Sequence, residues 1–251
     1  MPRYFLEVAY RGENYSGFQV QKNANTIQAE VEKALSIFYK KSYSLTGSSR
    51  TDAGVHAYQN FFHFDAENEI SDSEKDIYNL NALLPPDIVV KNFFRVKDNA
   101  HCRFDAVLRG YKYFIYHKKN PFVKDTAFFY PYTLDLEKMK IAANLILQYE
   151  DFSSFSKKKT QVKNFNCKIS CSEWLEEEGI LVYHVESNRF LRGMVKGLVG
   201  TMLRVGRGII TLNDFQKIIE SKDRSNADFS VPSHGLFLVK VVFGEPLRDE
   251  K

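Results

Sequence analysis

Two kinds of hydrophobic spacing alternate along this chain, and that alternation limits the folds open to it. In Arg3–Tyr10, the side chains of Tyr4, Leu6, Val8 and Tyr10 fall at every second position, the period of a strand with one face on a core. Thr26 then precedes Ile27, Val31, Leu35 and Phe38, which recur at helical spacing behind a capping hydroxyl. Ser42–Thr51 reads as extended and Tyr58–Ala66 as a strand. Ser73–Leu84 reads as a helix stopped by Pro85-Pro86, and Ile88–Val96 as a strand. The second half repeats the mixture. Arg109–His117 is an aromatic strand, with Tyr111, Tyr113 and Ile115 on one face and Lys112, Phe114 and Tyr116 on the other. Asp135–Gln148 predicts a helix, and Asn164–Trp174 with Ile180–Asn188 predicts a hairpin across Glu176–Gly179. Phe190–Val205 predicts a long helix, Leu212–Ser221 a shorter one and Gly235–Phe243 a closing strand.

Strands and helices mixed in both halves, with hairpins, point to an α+β fold rather than a doubly wound parallel sheet. The 251 residues make one large domain or two small ones. A boundary near Ala106 divides the chain into 1–106 and 107–251. No Gly/Ser-rich linker marks it, so the halves are expected to pack closely, and they share no residue-level repeat.

Net charge is +4, which permits a nucleic-acid partner without requiring one. Lys157–Lys159 forms the clearest basic loop, read equally as a solvated turn or a phosphate contact. The three cysteines include no CxxC pair, which argues against a disulfide framework and fits a reducing cytoplasm. Cys167 and Cys171 could face one way on a strand, but no further ligands appear at recognisable spacing, so no metal is expected. The N-terminus enters a strand pattern at once, and no apolar run reaches membrane-spanning length. Neither secretion nor membrane insertion is expected.

The stretch "SSRTDAGVHA", Ser48–Ala57, carries the most chemistry. If Arg50–Asp52 is extended, Arg50 and Asp52 point the same way and the arginine keeps the carboxylate ionised. Ala53 and Gly54 leave room beside it, which suits a carboxylate that attacks or contacts a substrate. On spacing alone, an Asp before Ala-Gly reads first as a turn former.

"RTDAGVHA" resembles the signature of the TruA family of tRNA pseudouridine synthases. "YRGENYSGFQVQ" (Tyr10–Gln21), "NALLPPDI" (Asn81–Ile88) and "HCRFDAVLRGYKYFIY" (His101–Tyr116) resemble further blocks of that family. So do "DFSSF", "NRFLRGMVKGLVGTMLRVG" and "HGLFLVKVVF", all in the family's order over nearly the whole chain. The resemblance implies two ferredoxin/RRM-like α+β halves around a central mixed, mainly antiparallel sheet with a basic cleft. It implies an isomerase that breaks the bond from uracil N1 to ribose C1′, rotates the base and rejoins it through C5, without a cofactor. A single carboxylate also argues against an ordinary glycosidase, which uses two. By this resemblance Asp52 is the catalytic carboxylate. Arg50 assists base eversion, Tyr111 stacks on the uracil, and Lys196 pairs with the carboxylate. Arg192, with Arg11, Lys22, Lys157–Lys159 and Arg189, contacts RNA. The partner implied is the anticodon stem-loop of tRNA, bound by a cytoplasmic homodimer.

Arg189, Arg192 and Lys196 fall at i, i+3 and i+7, one face of the predicted helix, with Phe190, Met194, Val195, Leu198 and Met202 on its buried face. Tyr113 and Tyr116 read as core aromatics. The family usually has Arg at the place of Lys196, Gly at Ser49, Trp at Phe18 and Arg at Val20. These departures leave two alternatives open: the same chemistry on ribosomal RNA, or an RNA-binding module without catalysis.

Overall fold

The structure is a computed structural model that describes residues 1–70, 73–157, 162, 164–244 and 247. In chain order its elements are β1 (Arg3–Tyr10), α1 (Ile27–Tyr39), β2 (Thr46–Gly47), β3 (His56–Asp65), α2 (Ser73–Leu83), β4 (Ile88–Val96) and β5 (Ala106–Tyr116). There follow β6 (Phe128–Phe129), α3 (Leu136–Leu145), β7 (Ile169–Glu177), β8 (Ile180–Ser187), α4 (Met194–Gly206), α5 (Leu212–Glu220) and β9 (Leu236–Phe243). The fold is α+β. It divides into two compact units: Met1–Val107 with Leu238–Lys251, and Leu108–Phe237. Among the described residues, no helix is long and apolar enough to cross a membrane.

In the first unit the strands run β4-β1-β3-β9, and β2 pairs with β3. Both β4 and β3 are antiparallel to β1. The period-two reading of β1 holds for Tyr4, Leu6, Val8 and Tyr10, which are all buried. Phe5 on the opposite face is buried as well, its ring 5.3 Å from Phe243 of β9 and 6.4 Å from Phe61 of β3. The strand is therefore covered on both sides. Thr26 caps α1 as its sequence predicts, its side chain accepting from Ala29 N, and Ile27, Val31, Ala34 and Leu35 turn inward. The Asn81 side chain joins α2 to β4, donating to Val90 O (2.9 Å) and accepting from Val90 N (2.7 Å).

In the second unit β8 lies between β5 and β7, antiparallel to both, and the short β6 runs parallel to β5. Tyr113 is fully buried with its hydroxyl on Pro232 O at 2.8 Å, and burial pushes its ionisation well above the usual tyrosine range. Tyr116 packs on Phe129, 5.2 Å between centroids. Both tyrosines are core side chains. Trp174 of β7 packs tilted against Tyr183 of β8 (4.9 Å) and donates to Met202 Sδ of α4 at 3.4 Å, which fastens the hairpin to the helix layer.

Two expected elements are shorter in the structure. Ser42–Thr51 is not one extended run, since only Thr46–Gly47 pairs as strand. The helix expected from Phe190 begins at Met194, because the chain turns at Arg192-Gly193 and Gly193 has φ of +74°.

His63 of β3 is buried, with Nδ1 accepting from Cys102 N at 3.3 Å. Burial, Arg3 and His101 lower its pKa to about 4. The unfolded chain therefore binds a proton near pH 6.5 that the folded chain refuses, so stability falls as pH drops through that window and levels off only near the folded value. Denaturant titrations at pH 7 and pH 5 are expected to differ by about 2 kcal/mol from this side chain. His63→Gln is expected to remove most of that difference.

Candidate active site

Three motifs far apart in sequence are bound together in the first unit. Asp87, at the end of the "NALLPPDI" block, holds the early loop. Its backbone oxygen accepts from Arg11 N (2.9 Å), and its carboxylate accepts from the Tyr15 hydroxyl (2.5 Å) and Asn14 Nδ2 (3.1 Å). The early loop in turn holds the "SSRTDAGVHA" segment. Phe18 N donates to Thr51 O at 3.1 Å, the Tyr10 hydroxyl lies 2.8 Å from Thr51 Oγ1, and Gly12 N donates to His56 Nδ1 at 3.2 Å. A Cβ at Gly12 would lie 2.0 Å from Val55 O, so the two segments approach as closely as a residue without a side chain allows.

Asn60 completes the frame from inside β3. It is fully buried, and its amide accepts from Ser49 N (3.2 Å) while donating to Ser49 O (2.9 Å) and to the Tyr10 hydroxyl (3.1 Å). The side chain replaces a missing strand partner for the loop. Ser49 and Thr51 are consequently buried, whereas Arg50 is exposed and Asp52 half-buried. Burial alternates as in an extended segment although no ladder runs through it, and it leaves Arg50 and Asp52 on the accessible side. Asp52 also opens a turn: Val55 N donates to its carbonyl at 3.2 Å, and Gly54 at the third position has φ of +76°. That sign is what a type II turn requires there. Asp52 is thus both a turn residue and an accessible carboxylate, two readings the sequence presents as alternatives.

In the second unit, Tyr111 lies on β5 opposite Val185 of β8, its ring edge-on to Phe190 at 5.0 Å and partly exposed. Arg192 is exposed in the turn before α4, and its carbonyl accepts from Lys157 N at 2.9 Å. Lys196 is in the first turn of α4 and donates to Ser233 Oγ at 3.3 Å. Because the helix starts at Met194, Arg189 and Arg192 lie outside it. The expected i, i+3, i+7 stripe does not exist as a helix face. Of the other basic residues, Arg11 is exposed with Glu13 at 2.9 Å, Lys22 is exposed, and Arg189 is partly exposed. Lys158 and Lys159 lie outside the described residues.

A family model described as tRNA pseudouridine synthase matches residues 7–105 and 142–244. The chain belongs to the tRNA pseudouridine synthase family. Relatives named tRNA pseudouridine synthase A match at nearly full length. The one from Parabacteroides distasonis is 45% identical over 98% of each chain, and the one from Bacteroides fragilis is 46% identical over 98% of each. The Staphylococcus aureus relative is 40% identical, over 97% of this chain and 91% of its own. Within this synthase family scaffold, Asn60, Tyr10 and Ser233 are contact residues that sequence reasoning missed. Asn60 had a readable signal, an amide just before the Phe61-Phe62 run of β3; Ser233 had none.

Tyr10→Phe removes the hydroxyl shared by Thr51 and Asn60 while keeping the ring. It is expected to cost about 1–2 kcal/mol in urea unfolding, since it leaves buried partners unsatisfied. It is also expected to lower turnover on tRNA more than it weakens tRNA binding, which a turnover assay paired with a filter-binding titration checks.

Proposed function

We propose that this protein converts uridine to pseudouridine in the anticodon stem-loop of tRNA, using Asp52 as the carboxylate that attacks or stabilises the reacting nucleotide. The observation that carries this reading is the placement of Asp52. The inward neighbours Ser49 and Thr51 are tied into a buried network, and the carboxylate is left on the accessible side of a braced loop. Such bracing holds a reacting group in position before substrate arrives. The N1–C1′ bond breaks, the uracil rotates, and a C5–C1′ bond forms. The C5 proton leaves to solvent and N1 takes one up, so no cofactor is consumed.

The target base must leave its stack before a side chain reaches it. Arg50 assists that step, and Tyr111 offers the ring on which the everted uracil stacks. Lys196 and Arg192 supply positive charge to the anionic site and to phosphate. Lys196 stands in the first turn of α4, where the helix dipole already favours an anion. We further propose that the N-terminal unit contributes the carboxylate and the C-terminal unit the tyrosine and basic groups. The protein acts in the cytoplasm as a homodimer, which sedimentation of the purified chain tests.

Asp52→Asn is expected to abolish release of label from tRNA carrying tritium at uridine C5, while tRNA affinity stays within about tenfold, or about 1.4 kcal/mol. Full turnover by this variant would overturn the mechanism. Arg192→Ala is expected to weaken binding with a smaller dependence of affinity on salt, because one phosphate contact is lost. Pseudouridine mapping in a strain lacking the gene tests the substrate: loss confined to ribosomal RNA would replace tRNA by the other target.

A further inference from the structure

Among the described residues, one group of three metal-capable side chains comes together, none of them in a motif used above: Cys171 and Glu173 of β7 and His184 of β8. The ladder explains why. Glu173 lies directly opposite His184, and Cys171 lies opposite Glu186, after a register shift between Ile169 and Cys171. Residues 171 and 173 share one face of β7, and 184 and 186 share the same face of β8. Cys171 Sγ is 3.6 Å from Glu173 Oε1 and 3.8 Å from His184 Nδ1, and His184 Nδ1 is 3.2 Å from Glu173 Oε1. Zinc bonded at about 2.3 Å to sulfur and about 2.0–2.2 Å to nitrogen and oxygen, in tetrahedral array, needs donor atoms about 3.3–3.6 Å apart. The three donors already stand close to that triangle.

Two further features support the arrangement. The other ring nitrogen, His184 Nε2, is 3.5 Å from Glu186 Oε1. A carboxylate behind a ligating imidazole places the proton on the far nitrogen and turns the lone pair of Nδ1 toward the metal. The opposite face of the hairpin is held rigid by Trp174 and Tyr183. Lys112, opposite His184 on β5, is a neighbouring cation, and its ammonium is 3.5 Å from Glu177. Among the described residues, Glu173 and Glu186 place two carboxylates at the cluster, which favours a divalent cation.

We propose that Cys171, Glu173 and His184 form a three-ligand zinc site, with Glu186 as the positioning residue and the fourth coordination place left to solvent. It would clip β7 to β8 on the face away from α4. The expectation of no metal, drawn from sequence, is revised here because the ligands converge across a ladder rather than at a recognisable spacing.

The test is titration of metal-free full-length protein with Zn²⁺ by calorimetry, and with Co²⁺ followed by absorbance and by fluorescence of Trp174, the single tryptophan of the chain. One ion per chain is expected, with near-ultraviolet thiolate-to-cobalt absorption and quenching of Trp174. Cys171→Ser and His184→Ala are expected to abolish both signals, and Glu186→Gln to weaken binding about ten- to a hundredfold. Cys167→Ser, which alters a buried thiol away from the cluster, is expected to leave binding unchanged. Circular dichroism of each variant separates loss of ligand from loss of fold. Absence of saturable binding, a cobalt complex without thiolate absorption, or unchanged stoichiometry in folded Cys171→Ser and His184→Ala would overturn the proposal.

Discussion

The Ser48–Val55 segment has no strand ladder of its own, yet it is held as tightly as one by buried hydrogen bonds from Asn60 and Tyr10. Asn60 satisfies both backbone groups of Ser49, and the Tyr10 hydroxyl lies between Asn60 and Thr51. A buried amide left unpaired would cost about 1–3 kcal/mol, so a half-formed version of this network would be worse than none. The network draws the backbone inward at every second residue. Arg50 and Asp52 face outward as a result, and an accessible carboxylate is obtained from a core that is otherwise aromatic and apolar. The dependence reaches further through the chain. Asp87 fixes the early loop, the early loop fixes Thr51 and His56, and the turn beginning at Asp52 follows.

In the second unit the equivalent constraint is the start of α4. Gly193 turns the chain, so the helix opens with Met194, Val195 and Lys196 and with no acidic residue in its first turn. A lysine there opposes the helix dipole by about 0.3–1 kcal/mol. The arrangement costs stability, and it concentrates positive potential where an anion would be welcome. By contrast, α5 carries Asp214 in its first turn, within a capping box.

Most element types were legible because period and caps agree. Thr26, the Pro85-Pro86 stop and the alternation in β5 each specify one local structure. What the sequence hid has common causes. The continuous apolar face before α4 read as helix because Phe190 fits the period, but a single left-handed glycine overrode it. The strand reading of Ser42–Thr51 failed because Asn60 replaces backbone pairing with side-chain pairing, which leaves no trace in periodicity. Within the site, Asp52 and Arg50 were visible as a motif. Of the partners that aim them, Asn60 left only an amide in an aromatic strand, and Tyr10 looks like an ordinary strand residue until the strands pair. The Cys171–Glu173–His184 cluster was invisible for the same reason: register, not spacing, brings it together.

The departures from the family pattern sort by where they lie. Phe18 is buried, stacked on Phe62 at 4.5 Å and 10°, and its ring occupies the space above Gly47, where a Cβ would come within 2.2 Å. A phenyl in place of an indole there is a change of core packing that leaves the carboxylate side of the loop untouched. Ser49 is buried with its backbone held by Asn60, so its extra Oγ is carried inside the frame rather than presented to a substrate. Val20 is exposed, and a lost arginine at that surface changes charge available to RNA without touching the braced loop. Under the proposed function, Lys196 is the departure that bears on chemistry, because an ammonium supplies a point charge where a guanidinium would supply a planar fork. Its bond to Ser233 gives the shorter head a defined position. On that reading the charge stays placed although the two-pronged geometry is gone, and the cost falls on orientation rather than on electrostatics.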